Sequence, residues 1–527
     1  MSQRVELYDV TLRDGAQGRM VKFSSEDQLR VVRALDDFGV SYIEGGQPGS
    51  NPKAAELFQR ANDMDLKHAK MAAFGSTRHT KCTVEDDPNL AALLGANTEV
   101  ITIFAKTSPT HVKEVLRVSL DENLRIIAES VAYLRSHNRR VFLDAEHFFD
   151  GFFEDAEYAL SALESGFRAG AEVLALCDTN GGCLPWQIED VVRTVSARLP
   201  DAPVGIHAHN DSACGVANTL AAVKAGAVHI QGTINGYGER TGNANLCSII
   251  PGVQLKMGIP LVSPEKLAGL APLSHLVAEL ANMSHRDFDP YVGRDAFTHK
   301  GGMHADAVKK LKSSYEHIAP ELVGNRTHIS VSEMSGRSSL LQKAAELGIE
   351  LDKNAAETKA VLHKVKELEN EGFEFEGADA SLELLIRRAQ KRHRSFFKLR
   401  GFRVWVERHD DSHPAVSEAT VRIELPDGEI VHTAGEGTGP VDALNCALRR
   451  ALTSIYPELN DVHLEDYKVR ILDAQAATRA KTRVLIESAD GETEWDTVGV
   501  SENIITASYD ALVDSIEYKL LRSRGLD

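Results

Sequence analysis

The 527-residue sequence is short of cysteine, of positive charge and of long apolar runs, and each shortage closes off a class of protein. Its six cysteines (Cys82, Cys177, Cys183, Cys214, Cys247 and Cys446) are scattered. None forms a Cys-x-x-Cys pair, so neither a zinc ribbon nor a disulfide framework is expected. Lys and Arg number 59 against 77 Asp and Glu, a net charge of −18, so the basic footprint of a nucleic-acid binder is missing. A local pocket can still be positive on an acidic protein, which leaves anionic small substrates open. No apolar run is long enough to span a bilayer, and Val5-Glu6-Leu7-Tyr8-Asp9 comes with no basic and apolar leader segment before it. A reduced, cytoplasmic protein with no membrane or nucleic-acid partner is the expectation.

What is present is an ordinary globular composition, 43% hydrophobic and 26% charged, in a chain too long for a single core. From residue 4 to about 258, short apolar runs alternate with helical patterns. Strands are expected at Val5–Val10, Ser41–Gly45, Ala69–Phe74, Val100–Ala105, Arg140–Glu146, Val173–Asp178, Val204–His209 and His229–Ile234. Between them Ser25–Phe38, Leu120–Leu134, Ala156–Arg168, Ile188–Leu199 and Val216–Ala225 read as helices. Ser24 or Ser25 can cap the first, and Gly39, Gly170 and Gly226 stand where helices should end. Eight such units fit an α/β fold, a parallel (β/α)8 TIM barrel. The alternative is an open doubly wound sheet, but no Gly-x-Gly-x-x-Gly follows the first strand.

A barrel of this kind gathers its chemistry at the C-terminal ends of its strands. Asp9, Arg13, Asp14, Glu44, Glu146, Asp178-Thr179-Asn180, His207, His209 and Asn235 with the loop 236–245 all fall there. Charges ending buried strands are costly unless paired or liganded. In Val204-Gly205-Ile206-His207-Ala208-His209-Asn210-Asp211 the two histidines alternate on an extended strand, so both imidazoles share a face. That is half of a divalent-metal site. Cys177, set among Leu174 and Leu176 with no base beside it, reads as a buried structural thiol rather than a nucleophile.

Three stretches then act together: Thr11-Leu12-Arg13-Asp14-Gly15-Ala16-Gln17, His207-Ala208-His209-Asn210-Asp211 and Gly238-Glu239-Arg240-Thr241-Gly242-Asn243-Ala244. In this order, on strands one, seven and eight, they resemble the 2-isopropylmalate, homocitrate and citramalate synthase family. That family is the Claisen-condensing branch of the DRE-TIM barrel enzymes. Phe297-Thr298-His299-Lys300-Gly301-Gly302-Met303-His304 matches the family's stretch beyond the barrel, so the resemblance covers essentially the whole chain. Asp144-Ala145-Glu146-His147-Phe148-Phe149-Asp150-Gly151 departs from the Glu-Asp pair of the isopropylmalate and homocitrate members and is similar to the citramalate members. This implies pyruvate as acceptor for acetyl-CoA, with 2-oxoisovalerate or 2-oxoglutarate as the alternatives. A carbon–carbon lyase or aldolase on the same barrel is a further alternative.

The resemblance also implies roles. Asp14, His207, His209 and Asn243 would hold a divalent ion such as Mn²⁺, Mg²⁺, Co²⁺ or Zn²⁺, for which mixed N/O ligation is suited. Arg13 would polarise the acceptor's keto oxygen, and the Thr179 hydroxyl would hold its carboxylate. Glu146 and His304 would deprotonate acetyl-CoA as a pair, with His304 supplied by the partner subunit of a homodimer. Tyr315 would adjoin the acyl-CoA, and Asp306 is similarly placed.

Prolines break the chain beyond the barrel, and 276–395 reads as helical linker subdomains, including Leu340–Leu347 and Ala355–Leu368. The basic run Arg387, Arg388, Lys391, Arg392 and Arg394 reads as a solvated helix end. From about 396 the period returns to two. Strands at Arg403–Glu407, Ala419–Leu425 and Glu429–Thr433 precede a helix at Val441–Ile455. The pattern repeats near Tyr467–Leu472, Arg483–Ser488 and Trp495–Val500, then Ile504–Leu521, with Asp442-Ala443-Leu444 and Asp510-Ala511-Leu512 in equivalent helices. A barrel over 1–275, a linker over 276–395 and an α+β domain of βββα repeats over 396–527 are therefore expected. The last resembles the family's regulatory domain, which implies dimerisation and feedback by an end-product amino acid, isoleucine for a citramalate member.

Overall fold

Short strands buried on both faces suit a parallel sheet covered by helices, and eight of them close into a barrel in this computed structural model. It describes residues 4–524 except 300–303, 305–306, 309, 330–336, 353–355, 376, 391–392, 394, 409–414, 473–479 and 492. The barrel strands are β1 (Glu6–Asp9), β2 (Tyr42–Gly46), β3 (Lys70–Ser76), β4 (Val100–Lys106), β5 (Arg140–Glu146), β6 (Val173–Asp178), β7 (Val204–Ala208) and β8 (His229–Gly232). They run parallel in sequential order, and β1 closes the circle on β8, with Leu7 beside Ile230 and Tyr8 beside Gln231. The expected β5 and β6 coincide with the observed ones, and the other six shift by one or two residues at their ends. β8 stops early because the chain turns into a short 3₁₀ segment, Ile234–Gly236, in which Asn235 is left-handed at φ 62°.

Helices pack outside the barrel as the periodicity requires. Ser25–Phe38 opens on a capping box between Ser24 and Asp27 and closes on Gly39 in the left-handed conformation, φ 98°. It presents Val31, Val32, Leu35 and Phe38 to a continuous core that includes Ile43, Ile101, Leu143, Leu174, Ile206 and Ile230. Each such side chain contributes roughly 1.5–3 kcal/mol when fully buried. A separate cluster of Tyr8, Tyr42, Val100, Phe142 and Val173 lies among the inward-facing residues.

The chain forms two units, Met1–Phe297 with Ile318–Arg326, and Thr298–His317 with Thr327–Asp527. In the second, β9 (Thr298–His299) pairs in parallel with β10 (His328–Ile329). Helices Arg337–Glu346, Ala356–Glu371 and Asp379–Ala389 follow, sharing a core of Leu340, Val361, Val365, Leu382 and Ile386. The βββα repeat then appears as expected: β11 (Lys398–Glu407), β12 (Val416–Glu424), β13 (Ile430–Gly437) and helix Pro440–Leu452. Its second copy is β14 (His463–Ile471), β15 (Thr482–Ala489), β16 (Glu494–Ser501) and helix Ile504–Arg524. Each copy has an antiparallel three-stranded sheet.

The equivalent helices are in a register one turn away from matching Asp442 with Asp510. A Cβ on Gly435 would meet Ala443 O and Ala447 N, and one on Gly499 would meet Ala507 O and Ala511 N. Thr433 Oγ1 donates to Ala447 O at 2.8 Å, and Thr497 Oγ1 to Ala511 O at 2.9 Å. These contacts pair Ala443 with Ala507 and Ala447 with Ala511.

Of the basic run, Arg387 and Arg388 do stand in the last turn of Asp379–Ala389, with Arg388 40% exposed, but both are paired rather than simply solvated. Arg387 Nε donates to Glu383 at 2.9 Å, and Arg388 reaches Asp514 and Glu517 at 2.8 and 2.9 Å. His393 adds a 2.8 Å contact to Glu517, so acids of the C-terminal helix neutralise this end. Lys391, Arg392 and Arg394 lie outside the described residues. Among the described residues no helix is long and apolar enough to cross a membrane.

Gly499→Ala would drive its new methyl to 2.0 Å from Ala507 O, a backbone atom that cannot step aside. We expect a loss of about 1–3 kcal/mol. It would be read from denaturant unfolding followed by the fluorescence of Trp495, which is buried against Tyr518. An unchanged midpoint would show that strand and helix can part there without cost.

Candidate active site

Closure of the barrel brings the ends of β1, β7 and β8 together, and a metal-competent group forms where they meet. Asp14, His207 and His209 are all buried and present one ligand atom each, all within 4.8 Å of one another. His207 Nε2 lies 3.5 Å from Asp14 Oδ2 and 3.3 Å from His209 Nε2, and His209 Nε2 is 3.8 Å from the same carboxylate oxygen. His209 continues β7 into an isolated bridge with Asn243, which brings that residue to the group. The Asn243 amide nitrogen donates to Asp14 Oδ1 and to Tyr237 O, each at 3.0 Å. Its oxygen is buried with no hydrogen-bond partner among the described residues. Buried amide oxygens are rarely left so, and a ligand atom is the reading that fits the chemistry of the set.

Electrostatics prepare these side chains. Burial alone would raise the Asp14 carboxyl, but Arg13 and the two imidazoles hold it well below the usual range. Burial and the neighbouring His207 push His209 down to about 4, leaving a neutral imidazole. His207 is oriented from behind. Its Nδ1 is 2.9 Å from Gln231 Oε1, and the Gln231 amide donates to Asp144 at 2.8 Å. That relay fixes the ring and leaves Nε2 facing Asp14 and His209. Burial, with the charge of Glu44, raises Asp144 to about 7.

Arg13 is locked in place. Its Nε is bound to Glu44, Nη1 donates to Asp14 at 2.9 Å, and the guanidinium lies 3.9 Å from the Phe74 ring centroid. Glu44 in turn accepts from the Tyr8 hydroxyl at 2.6 Å. Asp9 faces away from this chemistry, accepting from the Thr11 backbone and hydroxyl, while Thr11 Oγ1 accepts from Ile234 N. It braces the β1 and β8 ends.

A cavity of about 280 Å³ lies over the group, lined by Arg13, Asp14, Phe74, Phe104, Glu146 and Thr179 among others. Phe74 and Phe104 line one wall of it side by side, their rings stacked with centroids 5.5 Å apart. Glu146 is ion-paired with Lys106 from the end of β4. Thr179 Oγ1 accepts from His147 N at 2.8 Å. Cys177 also lines the space, but burial pushes its thiol well above its usual range, as befits a structural cysteine. A larger apolar groove of about 660 Å³, along Val216, Leu220 and Met257 on the barrel's exterior, lacks this chemistry.

Of the residues expected from sequence, Arg13, Asp14, Glu146, Thr179, His207, His209 and Asn243 meet at one barrel mouth. His304 and Tyr315 belong to the second unit, where their rings stack at 4.2 Å. Asp306 lies outside the described residues. Gln231, Lys106 and the Phe74–Phe104 pair were missed, and Arg240 was noted only as part of the Gly238–Ala244 stretch, with no role. A glutamine two positions beyond His229, on the inward face of a buried strand, was the one available signal.

A closed (β/α)8 barrel with an Asp/His/His group, an immobilised arginine and a carboxylate around one small cavity defines a metal-dependent barrel enzyme acting on a small polar substrate. Comparison with known proteins narrows this. Residues 4–267 match the HMGL-like family, 291–372 the homocitrate synthase post-HMGL domain-like family, and 376–520 the LeuA allosteric (dimerisation) domain. The chain is 52% identical to the (R)-citramalate synthase of Aquifex aeolicus over 523 residues, covering 99% of both chains. It is 51% identical to that of Geobacter sulfurreducens over 524 residues, again 99% of both. A probable 2-isopropylmalate synthase of Methanopyrus kandleri is 31% identical over 527 residues, 99% of this chain and 100% of that one. The chain belongs to the citramalate synthase family and is a transferase that works with a divalent metal ion.

Two variants test the metal group. His209→Ala should abolish tight Mn²⁺ binding and nearly all turnover while the circular dichroism spectrum stays native; full activity would refute the ligand assignment. Gln231→Ala should keep all four ligands yet weaken Mn²⁺ about 10–100-fold by calorimetry, because it frees the His207 ring.

Proposed function

We propose that the barrel mouth makes citramalate from acetyl-CoA and pyruvate, with its residues dividing the work as follows. A divalent cation held by Asp14, His207, His209 and Asn243 would supply Lewis-acid polarisation of the acceptor carbonyl. Arg13 directs its remaining N–H groups at the oxygen that becomes an alkoxide. Because Glu44, Asp14 and Phe74 already fix the guanidinium, its charge needs no reorganisation, and such a donor contributes roughly 3–4 kcal/mol. The Thr179 hydroxyl uses a lone pair on His147 N–H, and its own proton remains for the acceptor carboxylate. Glu146 and His304 take the proton from the acetyl-CoA methyl group, with Tyr315 beside the thioester. The enolate carbon attacks the keto carbon, and water then cleaves the thioester to release CoA.

The observation that carries the choice of acceptor is the 51–52% identity over essentially the whole chain to (R)-citramalate synthases, against 31% to a probable 2-isopropylmalate synthase. Thiol release from acetyl-CoA should therefore be fastest with pyruvate when 2-oxobutyrate, 2-oxoisovalerate and 2-oxoglutarate are compared. A preference for 2-oxoisovalerate would overturn the acceptor and leave the mechanism standing.

We assign catalysis to residues 1–275, linkage to 276–395, and dimerisation with feedback by isoleucine to 396–527. The match of 376–520 to the LeuA allosteric (dimerisation) domain supports the last. The six free cysteines support a reduced compartment, the cytoplasm. His304 acting in trans has a distinctive consequence for a symmetric dimer. Arg13→Ala and His304→Ala homodimers should each be inactive, whereas randomly mixed subunits should recover roughly a quarter of wild-type activity. No recovery would place His304 in the site of its own subunit.

A further inference from the structure

We propose that Arg240 is a positioning residue for the 2-oxo acid: it clamps Thr179 against the cavity and thereby sets affinity for the acceptor. The inference rests on the reading of Thr179 as the group that binds the acceptor's carboxylate. Arg240 sits in the loop after β8, in the left-handed conformation at φ 57°, and lines the cavity. Its Nε and Nη2 form a fork on Asp211, at 2.9 Å to Oδ1 and 3.0 Å to Oδ2. Nη2 also donates to the Thr179 carbonyl at 2.7 Å. One guanidinium thus ties together the loops after β6, β7 and β8.

Independent contacts show that Thr179 is held by design of the loops around it. Gly181 is left-handed at φ 62°, and a Cβ there would lie 2.5 Å from Asp211 Oδ2 and 2.7 Å from its nitrogen. Ser212 N donates to Gly181 O at 2.9 Å, so the β6 loop is seated directly on the β7 loop. On the other side, His147 is itself left-handed, φ 55°, and donates its N–H to Thr179 Oγ1. Asn180 Nδ2 donates to Asp150 at 2.9 Å, lacing the β5 and β6 ends. Thr179 is therefore gripped at its carbonyl by Arg240 and at its hydroxyl by His147.

The Arg240–Asp211 pair is partly solvated, with side chains 43% and 25% exposed, so it contributes little to overall stability. What it supplies is geometry, because a planar fork with a third bond fixes three groups at once. A lysine would offer a point charge without the fork. Asp211 neutralises the guanidinium, which argues for a clamp rather than a direct contact with the substrate.

The test is steady-state kinetics of the full chain with Arg240→Gln, Arg240→Lys, Thr179→Ala and the double variant Arg240→Gln/Thr179→Ala, together with Mn²⁺ titration. We expect Arg240→Gln to raise KM for pyruvate on the order of tenfold. KM for acetyl-CoA and Mn²⁺ affinity should hold, and Arg240→Lys should recover part of the loss. Thr179→Ala should raise the same KM, and the double variant should be no worse than Thr179→Ala alone. If Thr179→Ala raises KM for pyruvate and Arg240→Gln does not, the clamp is wrong and the Thr179 reading survives. If Thr179→Ala leaves it unmoved, the Thr179 reading falls and takes the clamp with it. Fold effects that multiply in the double variant would show Arg240 acting independently and also overturn the proposal. Should Arg240→Gln not fold, Asp211→Asn unties the same fork and must give the same split in KM.

Discussion

Burying Arg13, Asp14 and Glu44 in one barrel mouth is tolerable only because these groups satisfy one another. An isolated buried charge costs several kcal/mol. Here the arginine spans both carboxylates, and Tyr8 donates to Glu44 from within the barrel. Asp14 in turn faces the two imidazoles, and the His207 ring is set by Gln231 and through it by Asp144. The Asp14, His207 and His209 group, Arg13 and the barrel interior are thus one electrostatic unit.

Much of this was legible in the sequence because it is local. The strand spans follow from apolar periodicity, and His207 with His209 follows from alternation on a strand. The Ser24 cap and Gly39 terminus follow from side-chain and backbone chemistry that needs no distant partner. Asp14 and Asn243, separated by 229 positions, could be joined only through resemblance to a family and the closed circle it implies.

What escaped notice is what depends on neighbouring strands alone. Gln231 matters because β8 lies beside β7, and Lys106 because β4 lies beside β5. Arg240 reaches a carbonyl 61 positions away. None of these residues sits in a pattern that announces its partner. The basic run at Arg387 shows the converse case. Read alone it suggested exposed charge, and its neutralising acids come from Asp514 and Glu517, far along the chain. The repeated Asp-Ala-Leu triplets do lie in the equivalent helices, but backbone approach at Gly435 and Gly499 sets their register one turn away.

The duplicated βββα unit carries one more lesson. Val421 and Leu444 of the first copy share a single core with Val484 and Leu512 of the second. Each helix packs on its own sheet, as the contacts at Gly435 and Gly499 show, and the two interiors run together into one. A solitary half would keep its helix on its sheet but expose to water the apolar side chains it shares with the other copy. The domain is in effect a covalent pair, with its internal pseudo-symmetry built into one chain.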